Sequence, residues 1–153
     1  RFVETSFPGL KRDYVDTGKV RWVTRDLPLG FHANARKAAQ AAHCAGEQGR
    51  YWEMRDTLFR NNRNLAPEQL AQYAAPAGID PGAFADCLAS ERHLEQIDRD
   101  AELAASIRIT GTPTFVIGKP EGLKLSGKRV VGAQRQAVFS AEFDRLLDGD
   151  DKP

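Results

Sequence analysis

Cysteine and methionine are scarce in this sequence: 153 residues hold two cysteines and one methionine. Cys44 and Cys87 lie 87 − 44 = 43 positions apart, a spacing that fits neither a zinc knuckle nor a redox C-x-x-C. The residues admit one long-range disulfide, or two small thiols buried on helices, and do not choose between them. No segment approaches the roughly eighteen apolar residues of a membrane-spanning helix. The opening RFVETSFPGL lacks the apolar stretch and cleavage site of a secretory signal. There is no excess of one charge either. The 22 Lys and Arg are balanced by 21 Asp and Glu, scattered along the chain, which argues against a nucleic-acid arm or an acidic tail. What remains is a 41% hydrophobic chain of ordinary single-domain length, expected to bury one core over residues 1–153.

Val3, Phe7, Leu10 and Tyr14 recur at helical spacing before Thr17 and Gly18, so a first helix is expected, kinked at Pro8. KVRWVTRDLPL alternates Val20, Trp22 and Thr24 against polar neighbours and reads as a short strand ending at Pro28. Helices then follow over 33–48, over YWEMRDTLFRN, over 65–73, from Asp80 and Pro81 to Leu88, and along the Leu94, Ile97, Ala101 and Ala104 stripe. Trp52, Met54, Leu58 and Phe59 are expected core contacts. After Ser106 the texture changes. TFVIG and RVVGA are strand-like, separated by a Gly- and Lys-rich loop KPEGLKLSGK, and Val138, Phe143 and Leu146 stripe a last helix. The order is that of an α/β domain with a helical insertion, about residues 32–106, between its second and third strands. Only an opening strand is lacking.

In TGTPTF, Gly111 permits an unusual backbone angle and Pro113 cannot donate to a ladder, so Pro113 belongs at a strand's first residue or at a deliberate turn. A cis Thr112–Pro113 peptide satisfies both. Together with YVDTGKVRWVTRDLPL, AAQAAHCAGEQGRYWEM, AGIDPGAFADCL and VVGAQ, taken in that order, GTPTFVIG resembles the DsbA-like thiol–disulfide oxidoreductases of the thioredoxin superfamily. Nearly the whole chain is covered by the resemblance.

The resemblance implies a thioredoxin-like fold in which the loop Gly111, Thr112 and Pro113 binds an extended substrate peptide by strand addition. It implies a C-x-x-C at the start of the first helix, where the helix dipole favours a thiolate. No such motif occurs here, so the redox pair is expected just before Arg1. The chain is then a remnant of a longer protein, missing its first strand and expected to fold poorly alone. Cys44 and Cys87 match positions that are cysteine in many relatives, which implies a structural disulfide between them. Departures from the family pattern are the 118–129 loop, Arg55 where histidine is common, and GAQRQAVF in place of GAQP and an aromatic. The resemblance further implies cysteine-containing protein or peptide substrates, a membrane redox partner, and a periplasmic or secreted location.

Neither cofactor nor metal is expected. Adjacent helical residues such as His43 and Cys44 point about 100° apart, and His32 and His93 add no ligand spacing. Two readings compete with the oxidoreductase. One is a redox-inactive thioredoxin-fold module that binds peptides or a protein. The other is a relative of the kappa-type glutathione transferases and isomerases, with serine for the cysteine pair.

Overall fold

The computed structural model describes residues 1–122 and 124–149. Two compact units divide the chain: Arg1–Thr24 together with the chain from Thr110 onward, and Arg25–Ile109. The second unit holds the expected insertion. Each unit holds a cluster of buried apolar side chains.

The first unit begins with α1 (Phe2–Thr5) and α2 (Phe7–Leu10), continued by a π turn over Lys11–Val15. The helix expected to kink at Pro8 divides instead at Ser6, and Pro8 occupies the first turn of α2. A proline there has no N–H to return to Glu4, so the earlier turn cannot run through it. Phe2, Phe7, Leu10 and Tyr14 are buried from this run.

Residues 20–24, expected as a strand, form none. A strand needs a ladder neighbour, and the described strands pair only with each other. Trp22 instead lays its ring 5.9 Å from Phe2 and 4.8 Å from Phe7, so aromatic packing holds the segment.

β1 (Thr114–Glu121) and β2 (Lys124–Val131) form an antiparallel hairpin, registered from Thr114↔Val131 to Glu121↔Lys124. The loop expected over 119–128 is therefore mostly ladder. Gly118 and Gly127 face each other across it. A Cβ at Gly118 would lie 2.0 Å from the Ser126 carbonyl oxygen, and one at Gly127 would lie 2.1 Å from that of Ile117. These glycines allow two backbones to approach where any side chain would part them. Gly122, at φ 62°, opens the turn.

α8 (Gln136–Leu147) closes the unit. It buries Phe139 and Phe143, whereas Val138, expected on the inner stripe, faces solvent. With Phe143 and Leu146 inward, the residue one turn earlier on that face is 139, not 138.

The second unit comprises α3 (Ala35–Gly46), α4 (Tyr51–Arg60), α5 (Pro67–Ala74) with a 3₁₀ turn Ala75–Ala77, α6 (Pro81–Ser90) and α7 (Leu94–Ser106). All five expected helices are present, with ends shifted by a few residues. α3 presents Ala38, Ala41, Ala42 and Ala45 to the cluster, small side chains that let its neighbours approach. Asp80 caps α6 by accepting from the Ala83 N–H at 2.7 Å.

Trp52 and Phe59 are 43% and 42% exposed, against expectation. Met54 and Leu58 point inward, which leaves Trp52 and Phe59 on the outer side, and the largely buried Arg55 guanidinium lies 5.5 Å from the Trp52 ring and 4.7 Å from that of Phe59.

Candidate functional site

Two places collect the residues singled out by sequence. The first, in the first unit, is the loop before β1. The Thr112–Pro113 peptide is cis. The loop is braced on both sides: the Thr114 hydroxyl donates to the Gly111 carbonyl at 2.7 Å, and the Gly132 N–H donates to the Pro113 carbonyl at 2.8 Å.

Between these ties the N–H and C=O of Thr112 have no partner among the described residues, and Thr112 is exposed. Unpaired backbone groups at the head of a strand are what an added extended segment bonds to. In the same unit, the Ser6 hydroxyl donates to the Gln134 carbonyl at 2.8 Å, pinning the first helical run to the segment between β2 and α8. A Cβ at Gly9 would stand 2.0 Å from Oε1 of Gln136, the far end of a flexible side chain that can swing aside. A hollow of about 260 Å³ is lined by Arg1, Thr5, Ser6, Ala133, Gln134, Arg135 and Gln136.

The second place lies in the helical unit. Cys44 of α3 and Cys87 of α6 are joined in a disulfide with Cα atoms 5.7 Å apart, and both are fully buried. No free cysteine is present among the described residues. These two are the chain's only cysteines, so its 153 residues offer no redox dithiol of the C-x-x-C kind.

Helical spacing had set His43 and His93 apart from any site, but folding brings them together: their rings stack 5.3 Å apart. Each is held by a carboxylate. His43 Nε2 pairs with Asp26 Oδ2 at 2.6 Å, and His93 Nε2 pairs with Glu47 Oε1 at 2.8 Å. Arg92 also grips Glu47, its Nε donating to Oε1 at 2.7 Å. That pairing, then the one with His93, holds the Glu47 carboxyl down at about 2. Below this network the buried Asp100 accepts from Arg25, from the Asp26 N–H and from Gln96, each at 3.0 Å. Apart from Gln96 with Asp100, four positions apart, these contacts join residues 17 to 75 positions apart, which sequence spacing could not signal.

The hydrogen bond to Asp26 raises the His43 pKa above its ordinary 6.5, against the opposing effect of burial; Asp26 and then Asp100 add their charges in the same direction. A raised folded-state pKa means that the native state binds the proton more tightly than the unfolded chain. The resulting stability is fully present below pH 6.5 and is lost as pH rises through the folded value. Urea titrations at stepped pH from 6.5 upward should therefore show the helical unit losing about 1 kcal/mol, the size expected of a part-exposed charged pair. Asp26→Asn should flatten that profile; an unchanged slope in the variant would assign it elsewhere.

Comparison with known proteins follows the same lines. Residues 1–126 match the protein-family model described as Thioredoxin. The chain is 37% identical over 135 residues to the Na(+)/H(+) antiporter NhaA 3 of Salinispora tropica, covering 88% of this chain and 20% of that protein. It is 28% identical over 122 residues to a Rickettsia typhi protein named "Putative protein-disulfide oxidoreductase RT0103", covering 74% of this chain and 44% of that one. The chain thus spans less than half the length of these two relatives. The crystal structure of Wolbachia pipientis alpha-DsbA1 superposes with a TM-score of 0.79 at 28% identity, covering 96% of this chain and 78% of that one. The fold is therefore thioredoxin-like with a helical insertion, and the chain belongs to the thioredoxin superfamily as a DsbA-like member.

Proposed function

We propose that this chain is the substrate-binding body of a thiol–disulfide oxidoreductase acting on cysteines of protein or peptide substrates. The observation that carries the reading is Thr112: the residue is exposed and its N–H and C=O have no partner among the described residues, between two hydrogen bonds that hold the loop in place. An extended peptide adding at Thr112 would present its cysteine beside the loop. The chemistry needs a dithiol that these residues do not contain, and the reading places it as a C-x-x-C ahead of Arg1.

In that scheme the first thiolate and a substrate sulfur exchange through a mixed disulfide. The second cysteine then resolves it, so that one partner leaves oxidised by two electrons and the other reduced. The likeness to Wolbachia alpha-DsbA1 and to a protein named as a protein-disulfide oxidoreductase supports work outside the cytoplasm. The same Thr112 edge also fits a binding module without redox chemistry.

A thiol count on the full-length protein, denatured and reduced, separates the two readings through the mass gained on alkylation. The expected result is two alkylated thiols beyond Cys44 and Cys87, with turnover of a reduced cysteine peptide that is lost on alkylation. Finding only Cys44 and Cys87, with no turnover, would leave the binding module.

A further inference from the structure

Cys44, Cys87 and His93 come from three different elements, α3, α6 and the residue before α7, yet their ligand atoms all lie within 4.8 Å of one another. Two thiolates and an imidazole form a donor set suited to zinc and similar soft divalent cations. In a tetrahedral site with metal–sulfur bonds of about 2.3 Å, sulfurs stand roughly 3.8 Å apart, so the two sulfurs, bonded to each other here, must part once reduced. The Cα separation of 5.7 Å leaves that adjustment to side-chain rotation.

The surrounding groups fit as well. Glu47 engages Nε2 of His93 and leaves the other ring nitrogen for a metal, the carboxylate–histidine arrangement common behind metal ligands. Arg92 grips the same carboxylate, its Nε donating to Oε1 at 2.7 Å. Two thiolates and a neutral imidazole would balance a divalent cation, so the buried site would carry no net charge.

We propose that the reduced form of this protein holds a divalent cation of the zinc class at Cys44, Cys87 and His93, so that a metal crosslink can replace the disulfide between α3 and α6. The step requires a dithiol donor. The donor passes two electrons and two protons to the Cys44–Cys87 bond and becomes a cyclic disulfide, leaving two thiols. The cation then binds as both thiols lose their protons to solvent, with His93 as third ligand and water completing the shell. This proposal does not depend on the oxidoreductase reading.

The test is a cobalt(II) chloride titration of the protein after reduction by a phosphine, followed by the thiolate-to-cobalt absorption and the visible bands of tetrahedral cobalt, with zinc chloride as competitor. The expected result is a tetrahedral thiolate spectrum in the reduced protein and none in the oxidised one. Cys44→Ser should abolish the charge-transfer band. His93→Ala should weaken cobalt binding by about tenfold or more while leaving the helical circular dichroism unchanged. Equal binding by His93→Ala would overturn the proposal. So would a reduced protein that shows no thiolate–cobalt band, whether it is folded or unfolded, or a disulfide that the phosphine fails to reduce.

Discussion

Replacing Cys44 and Cys87 together by alanine is expected to lower the unfolding free energy of the helical unit by about 4 kcal/mol, on the chain-entropy account of a crosslink closing 43 residues. The disulfide ties α3 to α6 across a segment that also contains α4 and α5. Without it, the unfolded segment regains the conformations that the crosslink forbids. The effect should exceed that of removing any single surface ion pair of the unit, such as Arg36 with Asp98, because exposed pairs are screened by water and salt and contribute little. Other bonds between the same helices persist and temper the loss: the buried Gln40 still donates to the Leu88 carbonyl at 2.9 Å. Urea unfolding followed by far-ultraviolet circular dichroism, with and without reductant, provides the measurement. A midpoint unmoved by the double substitution would mean that packing of the alanine face alone fixes α3 against α6.

In the first unit the largest loss should come from Phe139→Ala. Phe139 is fully buried, its ring 5.2 Å from that of Phe2 and 4.8 Å from that of Phe115, which themselves lie 4.5 Å apart. The substitution removes a ring on which α1, β1 and α8 converge, and the cost should be about 3–5 kcal/mol. Trp22 belongs to the same cluster, touching Phe2, Phe7 and Phe115, and so reports on it. In a Trp52→Phe background its fluorescence should show the unit unfolding at markedly lower urea once Phe139 is gone. Val138→Ala, on the exposed side of the same helix, should leave that midpoint nearly unchanged.

The contrast between Val138 and Phe139 shows how far the sequence can be read. Helical periodicity places a helix over the end of the chain, but Val138, Phe139, Phe143 and Leu146 allow more than one inward face. Which face turns in depends on where Phe2 and Phe115 wait, and these are 137 and 24 positions away. Trp52 and Phe59 make the same point in α4, where apolar character suggested burial and a neighbouring arginine took both rings. Residues 20–24 alternate like a strand and remain without a ladder, because alternation prepares an edge and only a neighbour completes it. For the 119–128 segment the error is reversed. Its glycines signal a loop locally, yet paired as Gly118 opposite Gly127 they are what lets the hairpin continue.

At the candidate site, the cis Thr112–Pro113 peptide was legible because a proline at the mouth of an apolar run has few structural explanations. The network around Asp26, His43, Glu47, His93 and Asp100 was not legible, since each side chain alone reads in the sequence as an ordinary polar residue. Sequence by itself determined where the helices run, which family the chain resembles and that it contains no C-x-x-C, because propensity, spacing and motif are local properties. Tertiary structure decided which faces are buried, that Cys44 meets Cys87, and that two histidines 50 positions apart stack beside them. Those outcomes depend on side-chain packing and hydrogen bonding between segments distant in the chain, where no local pattern carries the information.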